Sequence, residues 1–342
     1  MASIDLYDIT IIGAGPTGLF AAFYAGLREM RTKIIDALPE VGGQLTTLYP
    51  EKIIFDSPGY PKILAKDLVK QLEEQTNGVD PTVILGERAQ SIKHIEGNVI
   101  QIITDKGVHY TKTLLISAGV GAFQPNKLPV PALDKYEGRG VYYHVKDTEI
   151  FRGKRLLIVG GGDSAVDWAL SLKDICTKIT LVHRRDQFRA HEASVKELLS
   201  SSVDVKLFYE LKDIKGNSAP EEAVIVNNKT NETSTIPVDA VLLNLGFKAD
   251  LGPIKDWGLE LEGRSIVVNT NMETNLPGVY AGGDIITVKG AIKLNLIAIA
   301  FAHAAIAVAV AKKRLDPTAP TFTHSSEGGL PTPKPIAPSP QQ

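Results

Sequence analysis

Asp8-Ile9-Thr10-Ile11-Ile12 runs directly into Gly13-Ala14-Gly15-Pro16-Thr17-Gly18, so an apolar strand meets a glycine turn that opens an apolar helix. In a G-x-G-x-x-G turn the first glycine permits the sharp bend and the second lets the backbone approach a pyrophosphate. The third packs helix against strand, so the phosphates sit on the helix N-terminus. Gly13, Gly15 and Gly18 match in full. The passage recurs: Arg155 is followed by Leu156-Leu157-Ile158-Val159, then Gly160-Gly161-Gly162-Asp163-Ser164-Ala165 and a helix through Leu172. Here Ala165 takes the third glycine's place, a sterically sensible variant. A glycine turn that merely connects strand to helix is the alternative reading of one copy, and two copies weigh against it.

The end of the next strand faces the adenosine ribose and decides which dinucleotide is accepted. Asp36 stands twenty-three residues after Gly13, closing Lys33-Ile34-Ile35, where a carboxylate accepts from ribose hydroxyls and repels a 2′-phosphate. At the same distance from Gly160 stands His183, followed by Arg184, Arg185 and, a turn later, Arg189. Guanidinium groups there suit a phosphate dianion and favour NADPH over NADH. A solvated basic edge is the other reading of the same residues.

Outward from these turns, Ala89 to Ile95, Val99 to Thr104 and Val108 to Ser117 are strand-like runs separated by turn-forming Gly97-Asn98 and Asp105-Lys106-Gly107, an expected antiparallel meander. Further strands are expected near Lys178 to Val182, Val203 to Tyr209 and Ala240 to Leu245. The strand Gly278 to Ala281 and the helix after Gly290 have no glycine turn of their own. They are most economically completions of the first domain's sheet, so one domain is inserted in the other. The apolar stretch Leu294 to Ala311 reads as a buried helix, with a membrane span as the alternative, because it contains Asn295 and His303 and ends at Lys312 and Lys313. From Asp316 onward proline is frequent, which predicts an extended tail with a disordered end.

At 342 residues the chain has room for about two domains at ~150 residues each. Thirty-seven basic against 39 acidic side chains, net −2, argue against a nucleic-acid partner. One cysteine, Cys176, rules out an intrachain disulfide, thiolate zinc cage or iron–sulfur cluster, and no metal site is expected. A reducing cytoplasmic setting fits, as does an N-terminus with Asp5 and Asp8 and no basic n-region.

Gly13 to Gly18, the Gly42-Gly43-Gln44-Leu45 loop, Gly160 to Ala165, His183 to Ala190 and Gly282-Gly283-Asp284 together resemble the two-dinucleotide-fold flavoprotein reductases of the thioredoxin-reductase-like class. The dithiol of a thioredoxin reductase is missing: the corresponding stretch reads Tyr143-His144-Val145-Lys146-Asp147. That departure, with the C-terminal extension, resembles the ferredoxin–NADP⁺ reductases of this class. The resemblance implies an α/β fold of two Rossmann-like, three-layer ββα domains. The expected layout is FAD-binding over 1–120 and 247–315, an inserted NADPH-binding domain over 121–246, and an extension over 316–342 that covers the flavin.

It also implies that Gly13, Gly15, Thr17, Asp36, Gln44, Ala89, Phe123, Asp284 and Ser325 hold FAD, while Tyr49 and His324 stack on the two flavin faces. Gly160, Gly162, Asp163, Ser164, His183, Arg184, Arg185 and Arg189 would hold NADP(H). The implied reaction is hydride transfer between NADPH and FAD with one-electron exchange with ferredoxin or flavodoxin, by a homodimer, and no side chain is expected as acid or base. A reductase with another acceptor, such as a quinone, free flavin, flavodoxin or a separate disulfide protein, and a non-catalytic flavin-binding regulator are the rival readings. Lys146, Arg152, Lys154 and Arg155 are candidate docking cations for an acidic carrier.

Overall fold

The computed structural model describes residues 5–119 and 121–320, with the side chains of 122–124 and 247–249 outside the description. The described chain divides into two compact units. The first comprises residues up to Thr47, Ile53–Ala122 and Ala249 onward, and the second Leu48–Lys52 with Phe123–Lys248. The chain passes between them in the strands Ala122–Pro125 and Phe247–Asp250, which pair with each other.

In the first unit the strands Thr82–Ile84, Thr32–Ile35, Leu6–Ile12, Val108–Ile116, Val99–Thr104 and Ala89–Ile95 lie in that order in one sheet. The pairs on the Leu6–Ile12 side are parallel, and the last three strands form the antiparallel meander. Val279–Ala281 adds in parallel to Val108–Ile116 and completes this sheet. Ile9, Ile11, Leu114, Leu115 and Ile116 are fully buried, the pattern of a parallel sheet covered on both faces.

Helix Pro16–Leu27 packs against helix Ile297–Leu315, where the Phe20 and Phe301 rings meet at 5.0 Å. It also packs against helix Ala65–Asn77, whose Thr76 hydroxyl donates to the Leu19 carbonyl at 3.0 Å. The helix expected from Leu294 starts at Ile297 and is not wholly buried: Ala300, Ala304, Ala307, Val308 and Ala311 turn inward, while Ile292, Leu294 and Leu296 are exposed. Alanine at these positions lets the two helices approach closely. No described helix is long and apolar enough to cross a membrane.

The second unit is built on a parallel sheet ordered Val141–Tyr142, Ala240–Asn244, Arg155–Gly160, Lys178–His183, Asp204–Leu207. The unbroken run Leu156-Leu157-Ile158-Val159 serves both faces. Leu156 and Ile158 face the helices Asp163–Leu172 and Glu192–Leu199, packing with Val166, Trp168 and Leu198. Leu157 and Val159 face a second layer of antiparallel strands, Tyr209–Lys215, Glu222–Asn227 and Thr233–Pro237, packing with Leu211 and Ile225. This is a three-layer ββα arrangement.

The single strand expected over Val203 to Tyr209 is two. Phe208, at φ 64°, breaks the run, so Asp204–Leu207 joins the parallel sheet and Tyr209–Lys215 starts the antiparallel one. A left-handed backbone at a bulky residue cannot be read from apolar periodicity.

Candidate dinucleotide sites

The first glycine turn is crowded at Gly13 and Gly18 and open at Gly15. Gly13 has φ +109°, and a Cβ on it would collide with the Ser117 carbonyl oxygen. A Cβ on Gly18 would strike the Gly13 carbonyl, so only glycine lets helix and strand close up here. Gly15 differs: a Cβ there would meet nothing within 4 Å, and helix Pro16–Leu27 begins immediately after it. Open space in front of a helix N-terminus fits a pyrophosphate. Gly43 closes one side of this space, with a built Cβ 3.2 Å from the Gly15 Cα.

Asp36 stands at the end of its strand, as expected, and is almost wholly buried. Its Oδ2 accepts from Ala14 N at 2.5 Å and its Oδ1 from Leu38 N at 2.8 Å. Burial pushes this carboxyl above the ordinary carboxylate value, and the two amide donors pull it back. Asp36 therefore braces the glycine turn from the end of its strand.

Gln44 and Asp284, far apart in sequence, are hydrogen-bonded. Burial raises the Asp284 carboxyl and the Gln44 amide lowers it, while Lys293 Nζ donates to the Asp284 carbonyl at 2.9 Å. The Gln44 amide also flanks Gly119, whose built Cβ would lie 3.2 Å from Nε2. The Gly282-Gly283-Asp284 loop is seated on Thr17, since a Cβ on Gly283 would approach Thr17 Oγ1 to 2.6 Å. From the other side Gly283 N donates to His303 Nδ1 at 3.4 Å. In the sequence His303 is one polar residue in an alanine-rich helix, with nothing local to tie it to the loop. Its signal is a histidine one helix after a Gly-Gly-Asp loop.

Gly13, Gly15, Thr17, Gln44 and Asp284 are thus collected around one end of the first unit's sheet. Ala89 starts the outer strand of the meander beside a bulge between Ala89 and Ser91. Tyr49 lies in the segment that groups with the second unit, half-buried against the cluster containing Trp168 and Phe151, with Lys52 Nζ 5.6 Å above its ring. Phe123 lies in Ala122–Pro125, and its side chain is outside the description, as are His324 and Ser325 altogether.

In the second turn, a Cβ on Gly160 would collide with the Asn244 carbonyl oxygen, and one on Gly161 with the His183 ring. His183, expected at the phosphate, is instead buried under the turn. Its ring stacks on Phe188 at 5.1 Å, and Nε2 hydrogen-bonds the Gln187 carbonyl at 2.9 Å. Arg189 N donates to the Gly161 carbonyl at 2.7 Å, and His191 N to Asp163 Oδ1 at 3.0 Å. These contacts tie the arginine loop to the turn, with Asp163 as a strut and Ser164 exposed.

Arg184, Arg185 and Arg189 are exposed, and none forms an ion pair among the described residues. By contrast, two candidate docking cations are engaged. Arg152 pairs with Glu149 at 2.6 Å and Arg155 with Asp239 at 2.6 Å, while Lys146 is exposed and Lys154 half-buried. No group of three or more His, Cys, Asp or Glu side chains suited to a metal ion occurs among the described residues.

Residues 7–309 match the pyridine nucleotide-disulphide oxidoreductase family. The ferredoxin–NADP reductase of Symbiobacterium thermophilum is 51% identical over 329 residues, covering 94% of this chain and 97% of its own. Ferredoxin–NADP reductase 1 of Sulfolobus acidocaldarius is 53% identical over 322 residues, covering 93% and 98%. Among solved structures, thioredoxin reductase of Lactococcus lactis superposes with a TM-score of 0.78 at 30% identity, over 90% of this chain and 98% of that one. That of T. acidophilum reaches 0.79 at 25% identity, over 91% and 99%. With two glycine turns on two Rossmann-like units and a match spanning nearly its whole length, the chain belongs to the pyridine nucleotide-disulphide oxidoreductase family, on the branch of its ferredoxin–NADP reductase relatives.

Proposed function

We propose that this chain is a ferredoxin–NADP reductase, with FAD held by the first unit and NADPH by the second. The observation that carries the reading is the contrast between the two dinucleotide turns. One ends at the buried carboxylate of Asp36, and the other at three exposed guanidinium groups without a carboxylate partner among the described residues. The shared name of relatives at about 50% identity supports it.

FAD, when bound, supplies the redox chemistry by which a two-electron hydride donor serves a one-electron carrier protein. The residues of this chain bind and orient. Gly13, Gly15 and Thr17 present the helix N-terminus to the pyrophosphate. Gln44 and Asp284 hold each other where the Gly282–Asp284 loop meets the cofactor, and Ala89 contributes through its backbone. Tyr49, Phe123, His324 and Ser325 surround the flavin ring. Gly160, Gly162, Asp163 and Ser164 form the second phosphate turn, His183 supports it, and Arg184, Arg185 and Arg189 grip the 2′-phosphate. No side chain is assigned a proton-transfer role. The working form is a cytoplasmic homodimer in which the extension of one subunit covers the flavin of the other.

The test is cytochrome c reduction by the purified yellow protein with NADPH or NADH, with and without added ferredoxin. A strong ferredoxin-dependent increase and a marked preference for NADPH are expected. Flavin reduction by NADPH with no effect of ferredoxin overturns the acceptor, and an unreactive flavin overturns the enzyme.

A further inference from the structure

Asn244 is the last residue of the strand Ala240–Asn244 and pairs with Gly160, the residue at which the neighbouring strand enters the second glycine turn. The approach is close enough that a Cβ at position 160 would collide with the Asn244 carbonyl oxygen. The Asn244 side-chain Oδ1 is buried and has no hydrogen-bond partner among the described residues. A buried amide oxygen without a donor is costly, and folded chains rarely leave one without a reason.

The strand order says what lies beyond this strand end. From Gly160 the chain proceeds through its helix to Lys178–His183 on one side of Arg155–Gly160, while Ala240–Asn244 flanks the other side. The order therefore reverses between these two strands, and ligands of open parallel sheets bind outside the carboxyl ends of the strands at such a reversal. The adenosine half of a dinucleotide belongs on the Lys178–His183 side, where Arg184 and Arg185 follow. The other half then leaves the turn past the end of Ala240–Asn244. Phosphate oxygens offer no donor to an amide oxygen, whereas a ribose hydroxyl does.

We propose that Asn244 is a binding residue for the nicotinamide half of the dinucleotide, its Oδ1 accepting a hydrogen bond from a donor on that nucleoside. The proposal rests on the reading of the second unit as the NADPH domain, and the test separates the two.

NADP⁺ and 2′,5′-ADP, which carries the adenosine half and its 2′-phosphate but no nicotinamide nucleoside, are titrated calorimetrically into wild-type holoprotein and into N244L, which keeps the shape and removes the acceptor. N244L is expected to weaken NADP⁺ about tenfold and leave 2′,5′-ADP unchanged. Equal weakening of both ligands, or no weakening of either, overturns the proposal. Failure of 2′,5′-ADP to bind the wild type overturns the NADPH reading instead. N244A carries the same comparison should N244L not fold.

Discussion

Gly283 and His303 meet backbone to side chain, the amide N–H of Gly283 donating to Nδ1 of His303 at 3.4 Å beneath the Gly-Gly-Asp loop. Only a neutral imidazole accepts there, and burial lowers the His303 pKa below its ordinary 6.5. No charged group contributes to that shift among the described residues, so it is a desolvation effect.

The pH dependence follows from linkage. The folded state binds its proton on His303 more weakly than the unfolded chain, so this contribution is fully present above pH 6.5 and is lost as pH falls toward the folded value. Melting temperatures of wild type and H303N between pH 7.5 and 5 test it. Asparagine keeps an acceptor but does not titrate, so the acid-side fall is expected to be shallower in H303N, and parallel curves would refute the assignment.

His183 and Gly161 make a second prediction. The imidazole cannot swing away from an added methyl group, because it is stacked on Phe188 and hydrogen-bonded to the Gln187 carbonyl. G161A is therefore expected to destabilise the second unit by about 1–3 kcal/mol, the usual cost of overpacking. It should also weaken NADP⁺ by displacing the loop that carries Arg184 and Arg185. Removing the ring in G161A/H183A should recover part of the stability in urea unfolding; no recovery would mean that the clash lies elsewhere.

The arginine loop predicts specificity. With no carboxylate to release among the described residues, Arg184 and Arg185 are each expected to lose roughly tenfold in kcat/KM for NADPH when changed to alanine, and almost nothing for NADH. The NADPH advantage should also shrink with added salt, since the contact is between exposed charges. Equal losses for both nucleotides would reduce the loop to a structural role.

Much of this architecture was legible because glycine turns leave rigid spacing. Gly13 to Asp36 and Gly160 to His183 fix a strand, a turn, a helix and the next strand, and the meander is punctuated by Gly97 and Gly107. The roles of individual side chains were less so. His183 occupies the predicted position, yet its ring faces inward, because spacing along the chain does not encode which way a side chain turns at a strand end. Likewise, the Arg155–Asp239 pair joins residues eighty-four positions apart, and no local pattern announces it. Segment Leu48–Lys52 belongs in sequence to the first unit but in space to the second, a choice made by the packing of Tyr49 against a core assembled a hundred residues later.

Cys176 gives the last prediction. The only cysteine in the chain sits half-buried behind helix Asp163–Leu172, its Sγ 3.6 Å from the Phe151 carbonyl, and burial pushes its thiol up to about 11. Thiolate is the nucleophile in both alkylation and disulfide exchange, so a thiol raised this far above neutrality is poorly reactive by either route. Lys154 pulls the other way without overcoming the desolvation. C176A is expected to reduce cytochrome c at the wild-type rate, and iodoacetamide at pH 7.5 should label the native protein far more slowly than the urea-unfolded chain. A wild-type enzyme inactivated in step with labelling, beside a C176A variant that is already inactive, would place the thiol in the electron path. Unchanged rates would leave hydride and single-electron transfer through the cofactor as the chemistry of this chain.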